Sequence, residues 1–523
     1  MSDCAPGSPR DVPEAGAAKQ LLIRALQRQG ERSYAEAESC YLAYLHAQPD
    51  DAQARAAYAG LLATQGKTAQ AIDNYRRALE INPGFAEAAS NLALALAKCE
   101  EFEAAEEWLR HALAIRPDML AARLNLGAVQ QELGKLEESA ESFEQAVRRS
   151  PESAVARFNL ANGYARLFRM DEALASYRAA IAIDPDFVDP HWNLSHALLL
   201  QGQFAEGWEK YEYRWRIASA EKPEASARLW SGEDLSGKRL FLWSEQGYGD
   251  TLQFIRYVPL AAKRGARVIV HARAPLTRIL QSVEGIERLG LRGDPVPEYD
   301  YQCPLMSLPR AFMTTGESIP WQGPYLRADP VQAAAWRGRL NRKARLRVGL
   351  VWSSGIRAYN REVFHAGITR SITLGQLNPL ARVRGVQFVS LQVGPQAGEA
   401  AAPPHGMRLV DWSGELRDFA DTGALIEALD LVIAVDTAVL HLAGGLGKPV
   451  WVLLKYHGCW RWLRERADSP WYPRLRLFRQ REPENWVDPI REVAEALAEM
   501  ADSETKGGNG WRSLINRLRP RPN

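Results

Sequence analysis

The sequence predicts an α-solenoid followed by an α/β unit built from two Rossmann-like, doubly wound halves that face a cleft. Three observations carry this. Prolines fall at 49, 83, 117, 151 and 185, one every 34 residues. From about residue 230, short apolar runs alternate with helical patterns and glycine loops, the reading of parallel strands joined by crossover helices. Charge divides near the same place. Residues 1–220 hold 23 Lys+Arg against 31 Asp+Glu, a net −8; residues 221–523 hold 42 against 32, a net +10. A chain of 523 residues exceeds one core, so two or three domains are expected.

Residues 1–17, opening MSDCAPGSPRDVPEAG, show no basic-then-apolar signal pattern and read as a disordered leader. The array follows over 18–220. Its period is that of tetratricopeptide repeats, and internal positions keep the register. Alanine recurs at 37, 71, 105 and 173; an aromatic at Tyr41, Tyr75, Phe143, Tyr177 and Tyr211; alanine again at 78, 112, 146 and 180. Six units begin near 18, 52, 86, 120, 154 and 188, the last degenerate after Trp208. Small residues let paired helices approach, aromatics fill between repeats, and proline ends each second helix. One column stands out: Asn91, Asn125, Asn159 and Asn193, each in an Asn-Leu pair on the first helix of its repeat. A carboxamide offers donor and acceptor together, so such a column can hold a peptide backbone whatever its side chains. Asparagine is also common at this position in the repeat, so the general expectation is a protein-binding solenoid.

The first α/β half spans 221–340. In KRLFLWSEQGYGD, the strand ends in a loop whose glycines, Gly247 and Gly249, are expected to free the backbone for a sharp turn. Asp250 then stands at a helix start, either as a simple N-cap or as a carboxylate facing the cleft. The second half, 341–500, opens with RLRVGLVWSSG, a strand and the small-residue loop Ser353-Ser354-Gly355. A basic loop, IRAYNREVFHAGITRS, and the strand VQFVSLQVG with Gln392 follow. The half then reaches LDLVIAVDTAVLHLAGGLGKPVWVLL, a strand–helix–strand unit. Ligands of open parallel sheets sit beyond the carboxyl ends of the strands against helix N-termini, so Asp436, Thr437 and His441 are expected at such a mouth. Thr437 would cap the helix; His441, one turn on, would donate to a diphosphate leaving group or, alternatively, pack as a buried histidine. Ala443, Gly444 and Gly445 are expected to let the helix sit close to the sheet. Without a divalent ion, leaving-group charge would fall to helix N–H groups, His441, Arg370 or Lys455.

These motifs, Gly-Tyr-Gly-Asp250, Asp436-Thr437, His441 and LAGGLGKP, resemble the heptosyltransferase-like glycosyltransferases (glycosyltransferase family 9), which have the GT-B fold. The resemblance covers roughly 230–500. It implies nucleotide-sugar transfer with inversion, Asp250 as base, and Asp436, Thr437 and His441 on the donor diphosphate. Ala438 stands where that family often has Gly. Array plus GT-B unit is similar in plan to bacterial TPR-fused glycosyltransferases, including those that modify flagellins, and to protein O-GlcNAc transferases with their asparagine ladder. It implies a last helix, near 484–500, that crosses back to the first half.

Other signals exclude classes. Five cysteines (4, 40, 99, 303, 459), odd in number and without C-x-x-C, speak for a reducing cytoplasm and against structural zinc. The D-x-D at 184–186 lies on a repeat turn, so no metal is expected. No apolar run spans a membrane, and no basic block suggests nucleic acid. The Trp/Arg-rich segment 459–480 would close over the sugar or pack the halves together, and 501–523 reads as a flexible basic tail. The expected protein is a cytoplasmic, metal-independent enzyme, free of cofactors, that moves a sugar from a nucleotide donor to a Ser or Thr hydroxyl of a protein held by the array. Homo-oligomerisation stays open. Alternatives are a lipopolysaccharide or polysaccharide transferase, and a non-catalytic scaffold with a degenerate transferase-like domain.

Overall fold

The computed structural model describes residues 15–217, 228–355 and 368–503. Most of the expected leader, the basic loop over 356–367 and the tail from 504 lie outside the described residues. The chain divides into two units, 1–193 and 194–523.

The first unit is a succession of helix pairs: α1 (Ala15–Gly30) with α2 (Tyr34–Ala47), α3 (Ala52–Thr64) with α4 (Thr68–Ile81), α5 (Ala86–Lys98) with α6 (Phe102–Ile115), α7 (Leu120–Glu132) with α8 (Leu136–Arg149), and α9 (Ala154–Arg166) with α10 (Met170–Ile183). The unit boundary falls inside α11 (Val188–Leu200). The periodic alanines are fully buried, which lets the helices touch. Phe143 wedges between repeats: a Cβ on Gly127 would lie 2.5 Å from its ring and one on Gly163 3.2 Å. The repeat prolines end helices and also expose carbonyls that a side chain then takes up. Arg55, Arg123 and Arg157 donate to the carbonyls of Pro49, Pro117 and Pro151, and His191 and His111 bind those of Pro185 and Pro83. The turn inside each pair passes through a left-handed residue at 32, 66, 100, 134, 168 and 202, of which only Gly66, Gly134 and Gly202 are glycine.

The second unit starts with the end of α11, then α12 (Phe204–Tyr211) and a 3₁₀ turn, Glu212–Arg216. A four-stranded parallel sheet follows: β1 (Arg239–Trp243), β2 (Arg267–Ala272), β3 (Ile286–Leu291) and β4 (Tyr301–Pro304), in the order β3-β2-β1-β4. A six-stranded parallel sheet contains β5 (Leu346–Val351), β6 (Val386–Ser390), β7 (Leu409–Asp411), β8 (Leu431–Val435), β9 (Val450–Leu454) and β10 (Leu475–Arg479), in the order β10-β9-β8-β5-β6-β7. Helices among the described residues include α13 (Tyr248–Phe254), α14 (Val258–Lys263), α15 (Ala274–Leu280), α16 (Leu308–Ala311), α17 (Pro330–Arg339), α18 (Phe419–Glu427), α19 (Ala438–Gly445) and α20 (Val487–Ser503). Strands β6, β8 and β9 are buried along their whole length, the mark of a sheet covered on both faces.

Helix α20 corrects an expectation taken from the resemblance. Its apolar face, Ile490, Val493 and Leu497, joins the core of the second sheet with Leu374, Leu377 and Phe388, so its hydrophobic stripe is spent there rather than on the first half.

Candidate functional site

Chain order reverses between β5 and β8 in the second sheet, and between β1 and β4 in the first. Such switch points leave a crevice at the strand C-termini, where ligands of parallel sheets bind. The two loops singled out in the second half, Ser353-Ser354-Gly355 after β5 and Asp436-Thr437 after β8, flank one switch point.

That mouth is held by polar bonds. Gln392 presents Oε1 to the backbone N–H of Trp352 (3.2 Å) and Ser353 (2.9 Å), fixing the loop after β5. Ser371 Oγ accepts from Ser354 N at 3.0 Å and from Ser353 Oγ at 3.2 Å. Arg370 Nε donates to Ser354 Oγ at 3.1 Å, and Lys455 Nζ to Thr369 Oγ1 at 3.1 Å. Burial and the nearby Arg370 charge press the Lys455 ammonium below its usual range, while Asp436 opposes this. Thr437 caps α19, its Oγ1 accepting from Val439 N at 3.2 Å. Among the described residues, its chain neighbours aside, none has an atom within 4 Å of where a side chain on Gly355 would begin. Two cations, one carboxylate, hydroxyls and a helix N-terminus therefore share a mouth suited to an anionic ligand.

Asp250 and His441 have other surroundings. Asp250 Oδ2 accepts from Gly247 N at 2.7 Å, capping α13, and Oδ1 takes Arg461 Nη2 at 2.5 Å. Arg461 also donates to Gln253 Oε1 at 2.6 Å. His441 is 4% exposed. Its Nδ1 pairs with Tyr472 Oη at 2.9 Å, and its ring stacks on Trp462 at 5.6 Å between centroids. The expectation that His441 stands at an open mouth is corrected: Gly249, Trp462 and Tyr472 fill the space around it. Burial, with Arg461 and Arg256 nearby, drives its pKa well below 6.5, so the ring is neutral.

The glycines also do something other than expected. Neither Gly247 nor Gly249 has a left-handed backbone; Gln246 does, at φ 54°. Gly249 is small because a Cβ there would lie 2.8 Å from His441 Cδ2 and 3.4 Å from Ala438 Cα, so it lets α13 press on α19. Gly444 and Gly445 likewise clear Tyr472 (2.6 Å) and Leu326 (2.7 Å). The Trp/Arg-rich segment packs against the first half, where buried Arg256 donates to Trp471 O at 2.7 Å and Phe254 meets the Trp471 ring at 5.7 Å, and against α12, where Trp471 and Trp460 sit 6.4 and 5.2 Å from Trp208.

The first sheet's switch point is filled. Glu245, beyond β1, accepts from Met306 N beyond β4 at 3.2 Å and binds Arg214 of the 3₁₀ turn through both oxygens, at 3.0 and 2.9 Å. Arg214 also reaches Ser307 Oγ at 2.6 Å.

In the asparagine column, Asn159 Nδ2 donates to Val155 O at 3.0 Å on its own helix, and Asn193 Nδ2 to Asn162 Oδ1 at 2.8 Å. Each of these donations uses one of the amide's two N–H groups and leaves its Oδ1 as an acceptor. Asn91 and Asn125 have no such bond, and Asn91 is exposed. Residue-by-residue reading missed Arg214, Glu245, Ser371, Arg461 and Tyr472. Their partners lie far along the chain, 31 residues for Glu245 and 211 for Arg461, so no local spacing announces them.

Among the described residues no helix is long and apolar enough to cross a membrane. Comparison with known proteins matches the tetratricopeptide repeat over residues 21–84 and 124–186, with a second model of that repeat over 62–124. Protein FlbA of Caulobacter vibrioides is 30% identical over 336 residues, covering 58% of this chain. The chain spans about half, 54%, of that relative's length. Similar solved structures include YrrB, titled a TPR protein with an unusual peptide-binding site (22% identity, 33% of this chain, 89% of that chain, TM-score 0.30), and PilF of Pseudomonas aeruginosa (18%, 39%, 90%, 0.34). The N-terminal 200 or so residues are thus a tetratricopeptide helical solenoid, joined to a C-terminal part with parallel sheets.

Proposed function

We propose that the chain is a metal-independent glycosyltransferase of GT-B type, related to glycosyltransferase family 9, that moves a sugar from a nucleotide donor to a Ser or Thr hydroxyl of a protein bound by the repeats. The observation that carries this reading is the mouth at the β5–β8 switch point, where Arg370, Lys455 and the N-terminus of α19 converge beside Thr437. A nucleoside diphosphate leaving group needs such a set of fixed positive groups when no metal serves. Asp250 is the candidate base; Arg461, on its Oδ1, must yield that oxygen to the acceptor hydroxyl, whose proton passes to the carboxylate as oxygen attacks the anomeric carbon and the diphosphate leaves. His441 serves as a neutral packing residue between the halves. Asn91, Asn125, Asn159 and Asn193 are the acceptor-side amides that would hold a peptide backbone.

The test is intact-mass analysis of candidate protein acceptors incubated with a panel of nucleotide sugars, beside calorimetric titration of nucleoside diphosphates. Arg370→Ala with Lys455→Ala should weaken diphosphate binding by roughly tenfold or more and leave nucleoside binding alone. A chain that binds no nucleotide, with these loops ordered as described, favours the non-catalytic scaffold, a reading the repeat match supports as far as protein binding goes.

A further inference from the structure

We infer that a groove over the first two repeats is a second docking site, for a polypeptide segment carrying an Asp or Glu carboxylate beside an aliphatic or aromatic side chain. The groove encloses about 450 Å³ between Leu42 and Leu45 of α2, Arg55 and Tyr58 of α3, and Asp73 and Arg77 of α4, with His46 also on its wall. It is distinct from the asparagine column. Asn91 corresponds in this repeat to Ala57, whereas Arg55 and Tyr58 share another face of α3, one turn apart.

Comparison between repeats points to an anion. Arg123 lies 68 residues, two repeats, beyond Arg55 and makes the same bond to its repeat proline. Its other amine is taken by Gln145 Oε1. The residue of the first groove that matches Gln145 is Arg77. An acceptor has been replaced by a second guanidinium, and the buried Nε of Arg55 has no acceptor. Asp73 offsets one of the two cations, so the groove keeps a positive charge within an array whose net charge is −8 over residues 1–220. A carboxylate supplies both the missing acceptor and the missing charge.

Apolar surface beside these cations points to a peptide. Leu42 is 52% exposed, while Leu45 and Tyr58 beneath are buried. Side chains of this kind seat an aliphatic or aromatic anchor, which supplies most of the energy in peptide docking.

The proposal stands apart from the transferase reading and is tested by binding alone. Short peptides are selected from a random displayed library on the full chain, then measured by fluorescence anisotropy. Selected peptides should combine Asp or Glu with Leu, Phe or Trp. Arg77 is exposed, so Arg77→Glu should fold normally and weaken them about tenfold or more, with Arg77→Gln intermediate. Affinity should fall with salt more steeply for the parent than for Arg77→Glu. Peptides without acidic residues, equal affinity for parent and Arg77→Glu, or failure to select any peptide would each overturn the proposal. So would displacement by inorganic phosphate at the peptide's own concentration, which marks a small-anion site. Asn91→Ala with Asn125→Ala should leave binding unchanged; loss there assigns the peptide to the asparagine column instead.

Discussion

Arg214 and Glu245 form a buried bidentate ion pair, each side chain 4% exposed, at the switch point of the first sheet. The pair ties the 3₁₀ turn after α12 to the loop between β1 and α13, the helix whose first turn holds Asp250. Burial pushes the Glu245 carboxyl up, against the pull of Arg214. Removing one partner of such a pair leaves a lone buried charge, which costs about 3–5 kcal/mol. Arg214→Leu should therefore destabilise the second unit strongly, and Arg214→Leu with Glu245→Leu should recover much of the loss. Urea unfolding of the two variants checks this. Equal losses would mean that the ion pair is not what couples turn and loop.

Gly249 presses against His441 across the two halves. Gly249→Ala places a methyl 2.8 Å from the ring carbon, and overpacking of this kind costs about 1–3 kcal/mol. The melting temperature should drop, and adding His441→Ala should restore part of it by opening space. A Gly249→Ala protein with unchanged melting temperature would show that α13 and α19 are not in contact in solution.

His441 sets a pH dependence with a definite sign. Burial first, then Arg461 and Arg256, lowers its pKa well below 6.5. An unfolded histidine takes up a proton near pH 6.5, and folded His441 does not. Its contribution is therefore constant above about pH 6.5 and is lost as pH falls below it. Between pH 7.5 and 5 the parent should lose more stability than His441→Gln. Parallel losses would place the imidazole in a solvated setting.

Asp250 separates a cap from a base. In Asp250→Asn an amide oxygen can still accept from Gly247 N, so the helix start should persist, with only the Arg461 ion pair weakened. If Asp250 is the base, sugar transfer should fall about 10²–10⁴-fold while donor binding stays near the parent value. Transfer at the parental rate would remove Asp250 from the chemistry and leave it as a cap.

Much of the fold was legible in the sequence, because helix repeats and buried parallel strands are local patterns. The spacing of five prolines and the alternation of buried alanines and aromatics follow from how one helix pair packs on the next. Runs such as LVIAV and VWVLL are apolar throughout because both faces of a parallel sheet are covered. The loops that flank the β5–β8 switch point were legible for the same reason: a strand end followed by Asp-Thr or Ser-Ser-Gly is a contiguous signal. Only tertiary structure decided the surroundings of those residues. The left-handed turn inside each repeat hides from sequence because Arg32, Glu100 and Phe168 hold it where glycine would. Gly249 reads as a turn glycine, and what makes it small is His441, 192 residues away. Asp250 reads as a simple N-cap or as a carboxylate facing the cleft, and Arg461 meets it from the other half. Contacts of that range are set by the shape of two packed domains, and each residue's chemistry depends on the partner that packing delivers.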